Sequence, residues 1–288
     1  MGTVFTSLEI IEAILIYGKR PVLTMGSTQS SNKSSIGIRI AVIVITTVLY
    51  AIGKWITAFI PTPWGVGQLL VGIFLPAYMA VTSDTLSVAV GAGLGTFVGD
   101  FFVQTNPTLS LIAGVPANFL AFLLFGWFVK KYKSWPSFVA GTVIFVSLGN
   151  LMAAILVFLF IGATIGGSLP SSAIMGLTIF WNTTSIPAIL IGVPVLVRGT
   201  RSLYGRTRLL TNFPQWPSSI GTRGYVTAIA FAVAYTALGA AVFFLQPSSV
   251  SVSPGLAYFV FAALLVVVFG SISSLMAGAS RHAKSPTG

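Results

Sequence analysis

Lys54 and Asp100 are the two charged residues that fall inside long apolar stretches of this chain, and they carry opposite signs. A charge at the centre of a membrane helix costs about 2.5–3.5 kcal/mol on insertion scales, so it needs a reason to be there. Each lies about 14 residues past the inner end of its stretch, roughly 21 Å at 1.5 Å per residue. Both stretches run outward, so the two charges share a depth in the outer half. Two readings are open. Either they pair or jointly face a polar cavity that opens outward, or Lys54 snorkels to the outer headgroups while Asp100 caps a neighbouring helix.

Three asparagines, Asn118, Asn150 and Asn182, also fall within apolar stretches, and Trp64 and Gln68 stand at the outer end of another. An amide facing lipid would lack a partner, so these side chains face inward. There they either glue helices together or line a pocket of modest polarity. Trp55 and Trp181 at similar depth favour the pocket. Asn182-Thr-Thr matches a glycosylation sequon, but a site inside a span cannot be used. Asp84, in Thr82-Ser83-Asp84-Thr85, reads as a helix N-cap on the inner side.

Catalytic chemistry has almost no material. The chain has no cysteine and one histidine, His282 in a polar tail, which removes thiol catalysis and paired-histidine metal sites. It has no Walker A sequence, no G-x-S-x-G, no H-E-x-x-H, no row of S4-like arginines and no T-V-G-Y-G filter. The expectation is a protein that is not an enzyme and carries no cofactor or metal.

The elements holding these residues must be membrane helices. The 288 residues are 55% hydrophobic and 7% charged, with a mean hydropathy of +0.96, whereas a soluble domain carries about 25% charged residues. A span needs roughly 20 apolar residues. The pattern predicts an all-α polytopic protein with about eight transmembrane helices, near 38–60, 66–82, 86–104, 108–129, 137–162, 173–197, 223–245 and 255–278. Pro76 interrupts the second, glycines weaken the third, and Pro107 opens the fourth, where its missing N–H costs nothing.

The basic residues fix the orientation. The net charge is +11. With the N-terminus in the cytoplasm, every lysine and arginine except Lys54 falls in an inner segment, and the outer loops are uncharged. Both termini are then cytoplasmic, in a cell membrane. The basic residues are scattered among loops, which argues against a nucleic-acid surface. The expected parts are a cytoplasmic segment and linker at 1–35, a six-helix core at 36–198, a basic loop at 199–222, and a helix pair with a short tail at 223–288. Within the first part, Leu8 to Tyr17 is either a surface amphipathic helix or a disordered tail, and Thr24 to Ser35 reads as a flexible linker. The basic loop either anchors topology or binds anionic headgroups.

One stretch organises the core. Gly91, Gly95 and Gly99 stack three bare backbone patches on one helix face, which allows close helix packing in lipid. That ridge runs into Asp100, a turn at Thr105-Asn106-Pro107, and a second helix carrying Pro116 and Asn118.

Residues 36–198 resemble the substrate-binding S component of energy-coupling factor (ECF) transporters. The resemblance is carried by a first helix entered at Arg39-Ile-Ala-Val-Ile-Val and by a loop with Pro and Trp. A glycine-spaced helix ending in G-D-F-F, Gly99 to Phe102, and a helix reading A-G-V-P-A-N-F, Ala113 to Phe119, complete it. It implies a subunit that binds a vitamin or similar micronutrient in a pocket near its outer face. The residues expected to contribute to such a pocket or to its support are Lys54, Asp100, Asn118, Asn150 and Asn182, with Trp64 and Gln68 near its lid. It also implies a membrane T component and two ATPase subunits as partners, besides the substrate and membrane lipids. In the family, A-x-x-x-A on the first helix contacts the T component. Here the matching positions are Gly37-x-x-x-Ala41 and Thr47-x-x-x-Ala51, a departure from that pattern. The helix pair at 223–278 lies outside the six-helix family core. The alternatives are a stand-alone secondary transporter in which Asp100 carries a proton, although no internal repeat is evident, and a non-transport membrane scaffold.

Overall fold

The computed structural model describes residues 28–58, 62, 67–103, 107–164, 172–204, 206–212 and 214, with the side chains of the first helix from Ile36 onward. The expected spans at 223–245 and 255–278, the segment Leu8 to Tyr17, and Trp64 lie outside the described residues. The chain divides into a short unit, Met1–Gly37, and a main unit, Ile38–Gly288. Apart from Gly37, every described candidate site residue belongs to the main unit.

All regular structure among the described residues is helical. Helix α1 is Thr28–Ile56. A 3-10 turn, Val71–Ile73, leads into α2, Phe74–Thr82. Helix α3 is Thr85–Phe101, α4 runs Pro107–Tyr132, α5 runs Trp135–Thr164, and α6 is Ser172–Gly199. Four of these, α1, α4, α5 and α6, are long and apolar enough to cross a membrane. The 3-10 turn with α2 covers Val71–Thr82, and α3 covers Thr85–Phe101. At 1.5 Å per residue they reach roughly 18 and 26 Å, short of the ~30 Å hydrocarbon core.

The outer surface fits a membrane. Ile40, Val44, Val48, Ile52 and Ile56 recur every four residues along α1 and are all about half exposed. Leu148, Ile155 and Leu159, spaced seven and four residues apart, expose one apolar face of α5. Such continuous apolar stripes are rare on a soluble monomer, and lipid is the solvent that suits them.

Two boundaries differ from the sequence expectation. Residues 28–35, expected as linker, are the first turns of α1. Once the apolar stretch beyond has formed a helix, each added residue costs little, and polar residues join it. Pro76 does not interrupt a span, because it sits in the first turn of α2, where no intrahelical N–H bond is lost.

The glycine ridge sets the packing of α1 on α3. A Cβ built on Gly91 would stand 2.7 Å from Thr46 Cβ, and one on Gly95 would stand 2.9 Å from the Thr47 carbonyl oxygen. On Gly99 it would meet Lys54 Cβ at 3.0 Å. The three glycines therefore bring the two backbones together, and the third places Lys54 beside Asp100. Thr47 Oγ1 donates to the Gly91 carbonyl at 3.2 Å, and Ala51 is buried with its Cα 3.2 Å from the Gly99 Cβ position. Thr47 and Ala51, expected on a partner-docking face, thus face α3 of their own chain, because the glycine ridge takes up that side of α1. Gly37 is exposed and Ala41 half-buried.

The apolar core forms two clusters. The larger joins Tyr50, Ile73, Phe122, Phe125, Phe138 and Ile186 with their neighbours. The smaller gathers Ala113, Ala154, Val157, Leu177 and Trp181.

At the end of the bundle that carries the basic residues, the turns are tied together. Asp84 Oδ2 accepts from the Ser87 N–H at 3.0 Å and the Ser87 hydroxyl at 2.6 Å, capping α3 as the sequence suggested. Burial alone would raise the Asp84 carboxyl. The Ser87 donors and the charges of Arg39 and Lys130 outweigh it and hold the group below its ordinary pKa. Lys130 Nζ donates to the Ser83 carbonyl and to Thr85 Oγ1. The segment after α6 folds back on the same turn: the Ser83 hydroxyl donates to the Leu209 carbonyl at 2.9 Å, and the Asn212 N–H to the Thr82 carbonyl at 3.0 Å. Part of the basic loop is therefore docked on the core through its backbone.

Candidate functional site

The last turns of α1 and α3 bring Lys54 and Asp100 together. Lys54 Nζ stands 2.6 Å from Asp100 Oδ1, and the two side chains are 5% and 4% exposed. Of the two sequence readings, pairing is the geometry found, and both side chains also line a cavity. Gln68 Nε2 donates to Asp100 Oδ1 at 3.3 Å, and the Ser110 hydroxyl donates to Oδ2 at 2.6 Å. The carboxylate thus receives three donors, which is what a buried charge needs to be tolerated. Lys54 Nζ also lies 5.9 Å from the Tyr50 ring centroid.

The cavity contains about 60 Å³ that the centre of a water molecule can reach. That is room for several waters or for a small ligand. It lies where the two core clusters meet, bordered by Ile73, Phe122 and Val146 from one and by Ala113, Val157 and Trp181 from the other. Its polar wall is made by Lys54, Gln68, Thr96, Asp100, Ser110, Asn118 and Asn150. Mostly apolar walls with a few placed polar groups are the usual make-up of a small-molecule site.

The backbone around the cavity is irregular in three places. Residues 67–70 are not helical, and Gly67 has φ +77°, a left-handed conformation that glycine adopts without strain. Their backbone polar groups still find partners: Thr57 Oγ1 donates to the Leu69 carbonyl at 2.9 Å, and the Leu70 N–H reaches Thr184 Oγ1 at 3.4 Å. Non-helical backbone at membrane depth is tolerated where protein buries it or where it lines a cavity. Helix α4 contains a π segment, Ser110–Gly114, and α5 another, Thr142–Val146. Ser110, Ala113 and Gly114 from the first and Val146 from the second line the cavity. Pro116 explains the first: it lacks an N–H, and its ring would clash with the carbonyl four residues earlier, so the preceding turn widens. Such bulges recur at functional sites.

The asparagines divide their roles. Asn118 lines the cavity, donates to the Gly114 carbonyl at 3.0 Å and accepts from the Tyr50 hydroxyl at 3.3 Å, tying α4 to α1. Asn150 lines the cavity and its Nδ2 donates to Asn182 Oδ1 at 2.8 Å. Asn182 is buried behind it and is not part of the wall. Its role is to join α6 to α5. Trp181 is on the wall, whereas Trp55 points outward at 65% exposure.

Sequence reasoning missed Ser110, Thr96 and the glycine pair Gly53–Gly72. The last is a backbone-to-backbone contact: a Cβ on Gly72 would stand 2.5 Å from the Gly53 carbonyl carbon. It presses the 3-10 turn against α1, next to Lys54 on one side and the cavity residue Ile73 on the other. Pro116 is the one sequence signal that pointed to the widened turn carrying Ser110.

Neither a protein-family model, nor a curated protein, nor a solved structure matches this chain.

Proposed function

We propose that the chain is the substrate-capture subunit of an ECF-type importer for a vitamin or similar micronutrient, with eight spans, both termini in the cytoplasm of a cell-membrane protein, and separate ATPase subunits. The observation that carries this reading is the position of the cavity. It lies toward the end of the bundle where α1 and α3 stop, against the first half of α4 and the middle of α5, away from Arg39 early in α1 and from Lys130 and Arg198 in the last turns of α4 and α6. By the positive-inside rule that end faces outward, where a capture subunit meets its substrate. The absence of a Walker A sequence suits a subunit that draws its energy from others. The resemblance of residues 36–198 to ECF S components supplies the rest.

In this reading the apolar wall holds the body of the ligand and the amide and ion-pair groups orient it. Release to the cytoplasm follows a reorientation driven by the partner ATPases. The test is gentle purification of the tagged full chain from its native membrane, with mass spectrometry of what accompanies it. A second polytopic protein together with ATPases bearing Walker motifs supports the proposal. A chain that emerges alone contradicts it and leaves a proton-coupled transporter or a scaffold. Those two separate on Asp100→Asn, which abolishes proton coupling in the first and has no transport to affect in the second.

A further inference from the structure

The only charged side chains on the cavity wall, among the described residues, are Lys54 and Asp100, and they neutralise one another at 2.6 Å. Both carboxylate oxygens are engaged, one by Lys54 and Gln68 and the other by Ser110. A ligand bearing a net negative charge would have to draw Lys54 away from Asp100. A cation would have to draw Asp100 away from Lys54. Either exchange leaves one charge of the pair buried without its counter-charge, and stranding one member of a buried pair costs more than an exposed ion pair returns.

From this we infer that the cavity selects a compact ligand of zero net charge: an apolar, ring-sized body bearing neutral hydrogen-bonding groups. It rests on the capture reading for its biological role and on the wall chemistry for its content. Ile73, Ala113, Ala117, Phe122 and Val157 provide the apolar surface. Asn118 and Asn150 provide neutral amides at the sides. Trp181 adds a further donor: its residue is 6% exposed and its Nε1 has no acceptor among the described residues. That nitrogen lies next to Gly67, where an added Cβ would stand 3.4 Å away, and both residues border the cavity. Buried donors without acceptors are uncommon in folded chains, and a neutral carbonyl satisfies one without adding charge.

The test uses three probes with one ring and three charges: benzamide, benzoate and benzylamine. Each is titrated at neutral pH against the detergent-solubilised full chain, by ligand-observed NMR. Benzamide is expected to bind at least about tenfold more tightly than either ion, a difference of about 1.4 kcal/mol. Asp100→Asn, which leaves Lys54 unpaired, should turn the preference to benzoate, and Lys54→Met should turn it to benzylamine. The exchanged pair Lys54→Asp/Asp100→Lys should restore benzamide. Trp181→Phe should weaken benzamide several-fold and leave the order of the three unchanged. Ala153→Phe, which fills the cavity, should remove binding of all three.

The wild-type order alone decides the matter if a variant fails to fold. Benzoate or benzylamine binding as well as benzamide overturns the inference, and so does binding of none of the three. A chain purified with ATPase partners that prefers benzoate keeps its capture role and loses the charge rule. A chain purified alone that prefers benzamide keeps the charge rule and loses the capture role.

Discussion

Gly72→Ala should destabilise the bundle and disturb the cavity together. The added Cβ would stand 2.5 Å from the Gly53 carbonyl carbon and 2.6 Å from its Cα and its oxygen. Carbon atoms in good contact lie about 3.5–4.0 Å apart, so the shortfall is about 1 Å. All three opposing atoms are backbone, so no rotamer change relieves it. The 3-10 turn and α1 must separate. Overpacking of this kind costs about 1–3 kcal/mol, and a backbone-only clash belongs at the upper end. The better helix propensity of alanine returns at most about 1 kcal/mol. The net loss is then about 2 kcal/mol. At about 2–4 °C per kcal/mol for large domains, Tm should fall by roughly 4–8 °C. Gly162→Ala is the control, because among the described residues nothing lies within 4 Å of its Cβ position. It should leave Tm unchanged or raise it slightly. Thermal unfolding of the purified protein in one detergent reads both. A Gly72→Ala protein that melts within about 1 °C of wild type would refute the close approach of α1 and the turn, and with it the positioning of Lys54.

Other outcomes rest on the same geometry. Lys54→Met and Asp100→Leu should each cost about 3–5 kcal/mol, since each strands a buried charge, and the exchanged pair should recover part of that loss in thermal unfolding. Asn150→Leu leaves the buried Asn182 Oδ1 without its donor and should cost about 1–3 kcal/mol. The double change Asn150→Leu/Asn182→Leu should cost less than the sum of the singles, measured as a double-mutant cycle. Asp84→Ala removes the α3 cap and should cost about 1 kcal/mol at neutral pH. The Asp84 carboxyl is held below its ordinary pKa in the fold, so its stabilisation is full above the unfolded value of about 3.9. It fades as pH falls through the lower folded value. The Tm gap between wild type and Asp84→Ala should therefore be constant near neutrality and close in acid.

How much was legible in the sequence depended on whether a residue's meaning was periodic. Gly91, Gly95 and Gly99 declared a face because four-residue spacing maps onto one side of a helix, and the structure adds that α1 lies on it. Lys54 and Asp100 declared a shared depth because rise per residue is fixed and both helices run the same way. Pairing then required only that the two helices be neighbours. Gly53 and Gly72 are isolated in sequence and meet only through tertiary packing, so no spacing announces them. The second span was read as one helix from 66. Residues 67–70 are instead non-helical, because they have cavity-side and side-chain partners that periodicity cannot reveal. Asn150 and Asn182 look alike in sequence, yet one faces the cavity and the other backs it, a distinction set by the rotation of α6 against α5.

The most direct test of the cavity as a ligand site is native mass spectrometry of the full chain released gently from its native membrane, beside the cavity-filling variant Ala153→Phe. The expected result is one small molecule of zero net charge per wild-type chain, and none on a folded Ala153→Phe chain. A wild-type chain that carries no small molecule, or a variant that retains the same one, would contradict the assignment of this cavity as the site of capture.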